Sequence, residues 1–433
     1  MSAKSAVERL DVALERIDDP RGEGARAMLK VYRDRARKEA TAADERARKG
    51  ESLGPLDGAI VSIKDLFDMA GEVTAAGSKL IADEGKVAES NAPAICKLFS
   101  VGAVIVGRTN MTEFAFSGIG ANPHYGTPGN PADRTRIPGG SSSGGAVAVA
   151  DGMCEITIGS DTGGSTRVPA ALCGIVGFKP SKWRISTEGA FPLSETLDSI
   201  GPMARTVAEC ALADAVMSGD KRPKPLEAEP LSGLRIGVAK GRPVEGLDET
   251  VGPRFASTLG ALEKAGARLH DEPLPLLAEM DAVNAKGGIV PAEAWRVHRE
   301  RFARGRNQID PMLANRLERA QDITGEDYRW MLTERARLVK AFDDQLSGFD
   351  VLAMPAVPIA APTIADCEEP RTFARNNAQV LRNTSIGNFF DLTAITLPMP
   401  GSGLPCGLML MARNGQDRRL LAIAAAVERL LSA

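Results

Sequence analysis

Residues 138–180 read PGGSSSGGAVAVADGMCEITIGSDTGGSTRVPAALCGIVGFKP, and this stretch decides how the chain is interpreted. Glycine doublets let backbone amides approach a ligand closely, so a serine beside them can face an oxyanion site made of main-chain N–H groups. Runs of Gly and Ser are more often flexible linkers. Here, however, small apolar residues at 146–150 and an alternating, strand-like pattern at 155–161 follow the first cluster. We therefore expect both glycine clusters to lie at the edges of a packed core.

The composition is that of a globular protein with a large core. Of 433 residues, 43% are hydrophobic and 25% are charged. The net charge is −3, and basic and acidic residues are interspersed along the chain. Nothing indicates a nucleic-acid surface. No low-complexity run or Pro/Ser hinge divides the chain. We expect a single domain over 1–433, made of an N-terminal helical arm at 1–50, a core at 51–215, and a variable helical insert with C-terminal strands and a helix at 216–433.

The sequence also predicts a cytoplasmic protein without a metal site. The first twenty residues lack the apolar region of a signal peptide, and no run of 18 apolar residues could span a membrane. The six cysteines lack CxxC spacing and only three histidines occur. We expect neither a zinc site nor a disulfide framework, and no cofactor. Homodimerisation is compatible with the chain, but no feature of the sequence specifies it.

Apolar periodicity predicts alternating strands and helices. Charged helices are expected within 5–50, a β–α–β unit at 59–65, 91–101 and 103–109, and a charge-rich helical region at 290–347. The remaining expected elements are helices at 205–218, 250–265 and 419–431, strands at 234–241, 267–270, 351–358 and 394–400, and a hairpin-like segment at 403–413. This order predicts an α/β fold with a mixed, mostly parallel, twisted central sheet between helices.

Four motifs resemble the amidase signature family. They are PLDGAIVSIKD around Lys64, GGSSSGG at 139–145, GSDTGGSTRVPA at 159–170 and CGIVGFKP at 173–180. Ser141 and Ser165 lie 24 residues apart, as the family pattern requires. The resemblance is strongest over 51–215 and looser in the C-terminal half. It implies the amidase signature fold and hydrolysis of a small or medium carboxylic amide through an acyl-serine intermediate.

Carried onto this chain, the resemblance implies that Ser165 is the nucleophile and Lys64 the base. Ser141 would be the bridging serine, held by a cis peptide after Gly140. The amides that would form the oxyanion hole belong to Thr162, Gly163, Gly164 and Ser165. Ser141 would then relay a proton between Ser165 and Lys64 and return it to the leaving amine.

A lysine base needs a lowered pKa. Amide hydrolysis requires an activated hydroxyl and stabilisation of the tetrahedral oxygen, and no histidine is placed by a motif to provide the base. From about 10.4, a lysine neutral near pH 7 needs a shift of roughly 3 units, on the order of 4 kcal/mol. The apolar residues around Lys64 predict the burial that would cause it. The alternative is an ordinary strand-end lysine paired with Asp65 or Asp68.

Asp161 and Arg167 flank the predicted nucleophile turn. A buried ion pair between them would fix the loop that carries the oxyanion amides, with Gly140 as further structural support. Arg167 could instead bind a substrate carboxylate. Cys173, in the apolar run AALCGIVG, is expected to be a buried inert thiol.

The substrate pocket is assigned from the segment NMTEF and the residues that follow it. Phe116 and the loop 122–128 belong to the same region, in which His124 is expected to brace the loop. The substrate-binding candidates are Met111, Glu113, Phe114, Ser117 and Ser142. Core packing is the alternative for the phenylalanines. A small or medium polar amide is the favoured substrate, because the insert at 290–347 lacks a long apolar face.

Three alternatives to a self-standing amidase remain. Residues 140–144 fit the G-x-S-x-G elbow of α/β-hydrolases with Ser142 as nucleophile, although that elbow needs a strand directly before it. The resembled family also includes the glutaminase subunit of tRNA-dependent amidotransferases. This chain lacks the Asp-Pro-rich stretch expected for that role between 365 and 390. The third alternative is a scaffold that keeps the fold without turnover.

Overall fold

The computed structural model describes residues 4–220 and 222–432, and its strands form one large sheet. The strands are β1 Met28–Val31, β2 Ile60–Lys64, β3 Val104–Thr109, β4 Ile156–Asp161, β5 Val176–Lys179, β6 Ser199–Ala204, β7 Arg235–Lys240, β8 Arg268–Pro273, β9 Val351–Pro355, β10 Thr393–Pro398 and β11 Gly407–Ala412. Within the described residues their order across the sheet is β1-β3-β2-β4-β6-β5-β10-β11-β9-β7-β8.

Helices connect and cover these strands. In the first half they are α1 Ala6–Asp18, α2 Gly24–Ala27, α3 Arg33–Lys49, α4 Lys79–Glu84, α5 Pro93–Ser100, α6 Ser143–Ala150, α7 Arg167–Cys173 and α8 Val207–Ser218. In the second half they are α9 Val251–Lys264, α10 Leu276–Asn284, α11 Ile289–Gly305, α12 Pro311–Ala320, α13 Gly325–Leu346, α14 Pro370–Leu381, α15 Thr384–Phe389 and α16 Asp417–Leu431. No helix among the described residues is both long enough and apolar enough to cross a membrane.

The central strands are buried on both faces. Successive side chains of a strand point to opposite faces, and along β2 Ile60 joins one hydrophobic cluster while Val61 and Ile63 join another. Along β3, Val104 and Ile105 divide between the same two clusters. This double burial explains the nearly continuous apolar runs of these strands. It also means that a polar side chain at a strand end, such as that of Lys64, is enclosed by core.

The mixed sheet between helices is confirmed, but parallel pairs are fewer than expected. In the described residues, β2 is parallel to β3 and β4, and β7 is parallel to β8 and β9. The six other pairs are antiparallel. One cause is the pairing of the neighbouring strands β10 and β11, which can be antiparallel across a short turn. Another is that β6 lies between β4 and β5 and runs antiparallel to both.

The N-terminal arm holds an element that the sequence pattern does not indicate. β1 lies between the charged helices α1 and α3 and pairs with β3 at the edge of the sheet. Four residues are too few to show the alternation that identifies a strand. The region 290–347 is helical as expected, over α11, α12 and α13.

Helix α7, which begins two residues after Ser165, packs closely on β5 at Gly177. A Cβ at Gly177 would lie 2.4 Å from the carbonyl oxygen of Thr166 and 2.6 Å from the Cβ of Ala170. Those distances are well below van der Waals contact, so glycine permits the close approach of helix and strand. The position of the Ser165 turn therefore depends on this packing.

We expect Gly177→Ala to lower the free energy of unfolding by about 1–3 kcal/mol, because the backbone atoms that a methyl group would meet cannot move aside cheaply. Urea unfolding would measure the change. Gly260→Ala is the matched control: a Cβ there, within α9, meets no atom within 4 Å, and alanine should stabilise the helix by up to about 1 kcal/mol. Equal effects of the two substitutions would contradict the packing argument.

Candidate active site

Lys64 lies at the carboxyl end of β2, beside the carboxyl end of β4. The two strands are parallel neighbours, so their ends meet at the same edge of the sheet. The Lys64 side chain is fully buried, and its Nζ lies 2.7 Å from Ser141 Oγ and 2.9 Å from Ser160 Oγ. The structure thus brings the predicted lysine and the predicted bridging serine into hydrogen-bond contact. Ser160 is a second hydroxyl partner that the sequence analysis did not single out.

Burial lowers the pKa of Lys64 to about 7, because removing an ammonium group from water disfavours its charged form. The negative charges of Asp161 and Asp198 act in the opposite direction. Asp65 does not contact the amine; its carboxylate pairs with Arg108 at 3.3 Å. The alternative interpretation, in which Lys64 pairs with Asp65 or Asp68, finds no such ion pair among the described residues. A substantial share of the amine is uncharged at neutral pH.

Ser141 sits in an enclosed segment before α6. The Gly140–Ser141 peptide bond is cis. The Ser141 carbonyl oxygen accepts the Thr112 N–H at 3.0 Å, and the Gly140 N–H donates to the Gly118 carbonyl at 2.8 Å. These bonds join the first glycine cluster to the segment 112–118. The Ser141 side chain is fully buried and reaches Lys64.

Ser165 and the turn before it open onto a cavity of about 150 Å³. Thr162, Gly163 and Ser165 line it. In the described part of the chain, no acceptor takes the N–H of Gly163, Gly164 or Ser165. Unpaired amides beside a nucleophile are the donors that an oxyanion needs. The turn therefore has both parts of an acyl-transfer site, a hydroxyl and free N–H groups.

Gly164 gives this turn its shape. Its φ is +135°, and a Cβ there would lie 2.1 Å from Thr384 Oγ1. Thr384 Oγ1 donates to the Gly163 carbonyl at 2.7 Å, which holds the turn from the side of α15. Only glycine accepts this backbone conformation and this close contact together.

Asp161 and Arg167 form the buried ion pair that the sequence analysis expects. Both side chains are fully buried, and Arg167 Nη2 and Nε lie 2.8 Å and 3.0 Å from the two Asp161 carboxylate oxygens. Asn388 accepts from Arg167 Nη2 at 2.7 Å and donates to Asp161 Oδ1 at 2.9 Å. The guanidinium holds the pKa of Asp161 well below its usual range despite burial. Arg167 is not part of the cavity lining, and its donors are taken by Asp161, Asn388 and the Thr384 carbonyl, which favours the structural role over binding of a substrate carboxylate.

Asp198 supports the other side of the turn. Thr162 Oγ1 donates to Asp198 Oδ1 at 2.5 Å, and Oδ2 accepts the N–H groups of Leu193 and Ser194. Burial raises the pKa of Asp198 to about 6. Since Leu193 also lines the cavity, one carboxylate fixes two parts of its wall. Asp198 lies 33 residues beyond Ser165 in the sequence, and no local pattern connects the two.

The structure places one of the five substrate-binding candidates in the cavity lining, namely Ser117, together with its neighbour Phe116. The other four, all buried, have structural contacts elsewhere: Met111 beside Gly77, Glu113 at the start of α12, Phe114 stacked on His298 with ring centroids 3.9 Å apart, and Ser142 at the start of α6. Core packing, the alternative stated for Phe114, explains its position. The cavity lining therefore gives no support to these four assignments, which stay predictions.

The α/β-hydrolase alternative lacks its structural context. Between β3 and β4, over residues 110–155, the structure has no strand, so none leads directly into Ser142. Ser142 Oγ is buried without a hydrogen-bond partner in the described residues. Of the downstream histidines, His298 is buried between aromatic rings and His270 lies on the outer strand β8.

Two minor expectations concern His124 and Cys173. His124 Nε2 lies 3.2 Å from Glu113 Oε2, so the side chain joins the loop 122–128 to the segment before Phe116. The Cys173 thiol is buried beside the Pro138 carbonyl, and burial raises its pKa, which is the environment of an unreactive thiol.

Parts of the cavity wall come from elements far from the motifs. The lining contains Asn284 from α10, Arg316 from α12, and Ser385 and Asn388 from α15. None of these follows from periodicity or spacing. The segment RNTSIGNFFDL at 382–392, which contains Ser385 and Asn388, lies in the C-terminal half, where the resemblance is looser.

Comparison with known proteins identifies the family of this chain. The family model described as Amidase matches residues 12–421, and the chain belongs to that family. The chain is 35% identical to 2-amino-5-chloromuconic acid deaminase of Comamonas testosteroni, over 92% of this chain and 87% of the relative. It is 34% identical to a glutamyl-tRNA(Gln) amidotransferase subunit of Anaeromyxobacter dehalogenans, over 99% and 94% of the two chains. A crystal structure described as that of an amidase superposes with a TM-score of 0.87 at 31% identity, covering 99% of this chain and 96% of the other.

We expect Arg167→Met to lower the free energy of unfolding by roughly 3–5 kcal/mol, because it leaves the Asp161 carboxylate buried without its cation. The double variant Asp161→Asn, Arg167→Met removes that charge and should recover part of the loss. Urea unfolding of the wild type and of both variants would measure it. A double variant no more stable than Arg167→Met would contradict the ion-pair argument.

The lowered pKa of Lys64 predicts a pH-dependent stability. Between pH 7 and about 10.5, the unfolded chain holds a lysine proton that the folded chain has lost, so stability rises with pH. Between pH 7 and 9.5, the free energy of unfolding of the wild type should rise by roughly 3 kcal/mol relative to that of Lys64→Met. The expected slope is about 1.4 kcal/mol per pH unit. Urea unfolding at several pH values tests this, with Lys264→Met, an exposed lysine on α9, as control. A constant difference from Lys64→Met would show that the folded lysine stays charged.

Proposed function

We propose that this protein hydrolyses the C–N bond of a small carboxylic amide, releasing a carboxylate and ammonia or an amine. The observation that carries the proposal is the buried Lys64 amine, 2.7 Å from Ser141 Oγ and with a pKa of about 7. A lysine in that state can accept a proton at neutral pH. Burial that costs stability and serves no ion pair is typical of a group selected for its chemistry.

The proposed reaction uses three side chains, with Ser141 passing the proton between Ser165 and Lys64. Neutral Lys64 takes the Ser141 proton as Ser141 takes the Ser165 proton, and Ser165 Oγ attacks the carbonyl carbon. The resulting oxyanion is held by the N–H groups of the turn 162–165. The proton returns through Ser141 to the leaving nitrogen, the C–N bond breaks, and an acyl ester on Ser165 remains. Water, activated by the same relay, hydrolyses the ester and restores Ser165.

The size of the cavity favours a small substrate. A cavity of about 150 Å³ accommodates a molecule of roughly the size of benzene. The relative from Comamonas testosteroni is named for a substituted muconic acid, which is also a small molecule. The interspersed surface charge gives no support for a nucleic-acid substrate.

A glutaminase subunit is the second candidate, and it is favoured by the similarity of nearly the whole chain to the amidotransferase relative from Anaeromyxobacter dehalogenans. Glutamine is also a small primary amide, so the chemistry at Ser165 would be the same. The two candidates differ in their need for partners. A self-standing amidase hydrolyses its substrate as the isolated chain, whereas a glutaminase subunit works within its complex.

We expect a fluorophosphonate probe to add one adduct to the wild-type protein, on Ser165. Intact-protein mass should show loss of the adduct in Ser165→Ala and labelling slowed at least about 100-fold in Lys64→Met, since general-base catalysis contributes 10²–10⁴-fold. Ser142→Ala, a neighbouring buried serine in the same glycine cluster, is the matched control and should label normally. Loss of labelling in Ser142→Ala alone would move the nucleophile to Ser142.

The labelling rate should also increase with pH, because the reactive form holds Lys64 uncharged. With a pKa of about 7, the rate should rise about tenfold per unit below pH 7 and level off above it. Rates measured from pH 5.5 to 9 on the purified protein test this. A rate independent of pH across that range would rule out Lys64 as the base.

A further inference from the structure

An irregular segment of the chain forms one wall of the cavity. Residues 180–198 connect β5 to β6 and contain neither a helix nor a strand. Near the end of this connection, Leu193 and Leu197 line the cavity, and Asp198 supports the second glycine turn. Backbone outside helices and strands lacks their regular hydrogen bonds, so its position depends on other partners. We call residues 193–198 the wall segment.

Glu293, on α11, accepts hydrogen bonds from the wall segment. Its side chain is buried, and its carboxylate oxygens accept from Ser194 Oγ, from the Thr196 N–H at 3.1 Å and from Thr196 Oγ1 at 2.5 Å. Tyr328, from α13, donates a fourth hydrogen bond at 2.5 Å. The carboxylate has no ionic partner among the described residues. These four donors therefore satisfy the buried charge, and three of them belong to the wall segment.

Lys182 binds the wall segment through its carbonyl groups. The ammonium group donates to the carbonyl oxygens of Glu195 and Thr196. Asp198 accepts two N–H groups at the start of the same segment, at 2.9 Å and 3.0 Å. Hydrogen bonds to ionised groups are stronger than those between neutral groups. Three charged side chains thus fix a short segment that has no regular structure of its own.

Helix α11 also contributes directly to the cavity. Val290, near its start, is one of the lining residues, and Glu293 lies three residues further along. Side chains three apart are neighbours on one face of a helix. The same face of α11 therefore lines the cavity and binds the wall segment, so the bonds of Glu293 hold two parts of the cavity lining at a fixed separation.

We propose that Glu293 is a positioning residue that fixes the wall segment and thereby the width of the cavity. Glu293 is not among the lining residues, so it acts on a ligand only through Leu193 and Leu197. The inference rests on the proposed function for its consequence, since the width of the cavity would decide which acyl groups reach Ser165. A buried carboxylate that only stabilised the fold would not change this selection.

Three variants separate these roles. Glu293→Leu removes every acceptor at similar size. Glu293→Gln is the conservative variant: its oxygen can still accept from Ser194 and from the Thr196 N–H, and its NH₂ group can donate to the hydroxyl oxygens of Thr196 and Tyr328, because a hydroxyl both donates and accepts. Tyr328→Phe is the matched control, since it removes a hydrogen bond to the same carboxylate without changing the wall segment.

Hydrogen exchange followed by mass spectrometry measures whether the segment is held. We expect the amides of 193–198 to exchange about tenfold faster, or more, in Glu293→Leu than in wild type, because local opening no longer breaks bonds to a charged group. Glu293→Gln and Tyr328→Phe should stay within about threefold of wild type. Melting temperatures establish that each variant is folded.

Two sulfonyl fluorides of different size measure the width of the cavity. Ser165 Oγ forms a bond to sulfur while the S–F bond breaks, fluoride leaves and the Lys64 relay takes the serine proton, so the sulfonyl substituent alone fills the cavity. The methyl group of methanesulfonyl fluoride is small, whereas the phenylmethyl group of phenylmethanesulfonyl fluoride is larger than the benzene-sized cavity of about 150 Å³.

We expect the ratio of the two labelling rates, small reagent over large, to fall about tenfold or more in Glu293→Leu, because a released wall admits the larger group. A loss of folded protein or a displaced oxyanion turn affects both reagents, so neither changes this ratio. Glu293→Gln and Tyr328→Phe should keep the ratio within about threefold of wild type.

A variant on the other side of the same hydrogen bonds keeps the test decisive if Glu293→Leu does not fold. The double variant Ser194→Ala, Thr196→Val removes two of the donors and leaves Glu293 in place, and it should change the exchange and the ratio in the same direction. Unchanged exchange in the variants that fold would overturn the inference. Faster exchange with an unchanged ratio would also overturn it, since Glu293 would then only stabilise the segment.

Failure of the inference and failure of the proposed function are distinguishable. Fluorophosphonate labelling of Ser165, with exchange and ratio unchanged in Glu293→Leu, would keep the hydrolase and reject the positioning role. Faster exchange of the wall segment in Glu293→Leu, in a protein whose wild type does not label, would keep the role of Glu293 in fixing the wall and reject the hydrolase.

Discussion

Burial of the Lys64 amine is the constraint on which the rest of the site depends. At neutral pH a lysine can act as a base only where water cannot stabilise its charge. Lowering the pKa of Lys64 from 10.5 to about 7 costs roughly 5 kcal/mol of folding stability. A sheet covered on both faces provides that environment at the end of β2. The hydroxyls of Ser141 and Ser160 then give the neutral amine hydrogen-bond partners without a charge.

The Asp161–Arg167 pair limits the effect of a buried carboxylate on the pKa of Lys64. An unpaired carboxylate near Lys64 would favour the charged amine and raise the pKa that burial lowers. Asp161 is close enough to have that effect, but Arg167 and Asn388 bind its oxygens. The pair thus fixes the turn before Ser165 and also reduces the charge that Lys64 experiences. Asp198, whose pKa burial raises to about 6, is still mostly ionised at pH 7 and acts against the lowered pKa of Lys64.

The features of the fold and site that could be predicted are those whose residues lie close together in the sequence. The motifs around Lys64, Ser141 and Ser165 contain the short-range geometry of the two glycine turns, and apolar patterns identified β2, β3 and β4. The strands β5 and β6, in the middle of the sheet, were not among the expected elements. β1 was missed because four residues show no periodicity. Ser160, Asp198 and Arg316 were missed because each reaches the site through strand pairing or helix packing across long stretches of chain. Of the pocket candidates near 111–117, only Ser117 lines the cavity, because nearness in sequence to the motif does not determine which side chains face it.

In the proposed function, the residues of the sequence motifs carry out the reaction, and residues far from the motifs recognise the substrate. The hydroxyls, the amine and the unpaired amides lie at the ends of β2 and β4 and in the turns that follow them, and they would treat any amide alike. Under the proposed function, the groups that would distinguish one amide from another come from α10, α12 and α15, which contribute to the cavity lining. Glu113 links the two sets, because it lies in the segment joined to Ser141 through Thr112 and also holds the start of α12. Under the proposed function, a change in α10, α12 or α15 would alter which molecules enter the cavity, while Lys64, Ser141 and Ser165 would keep their positions.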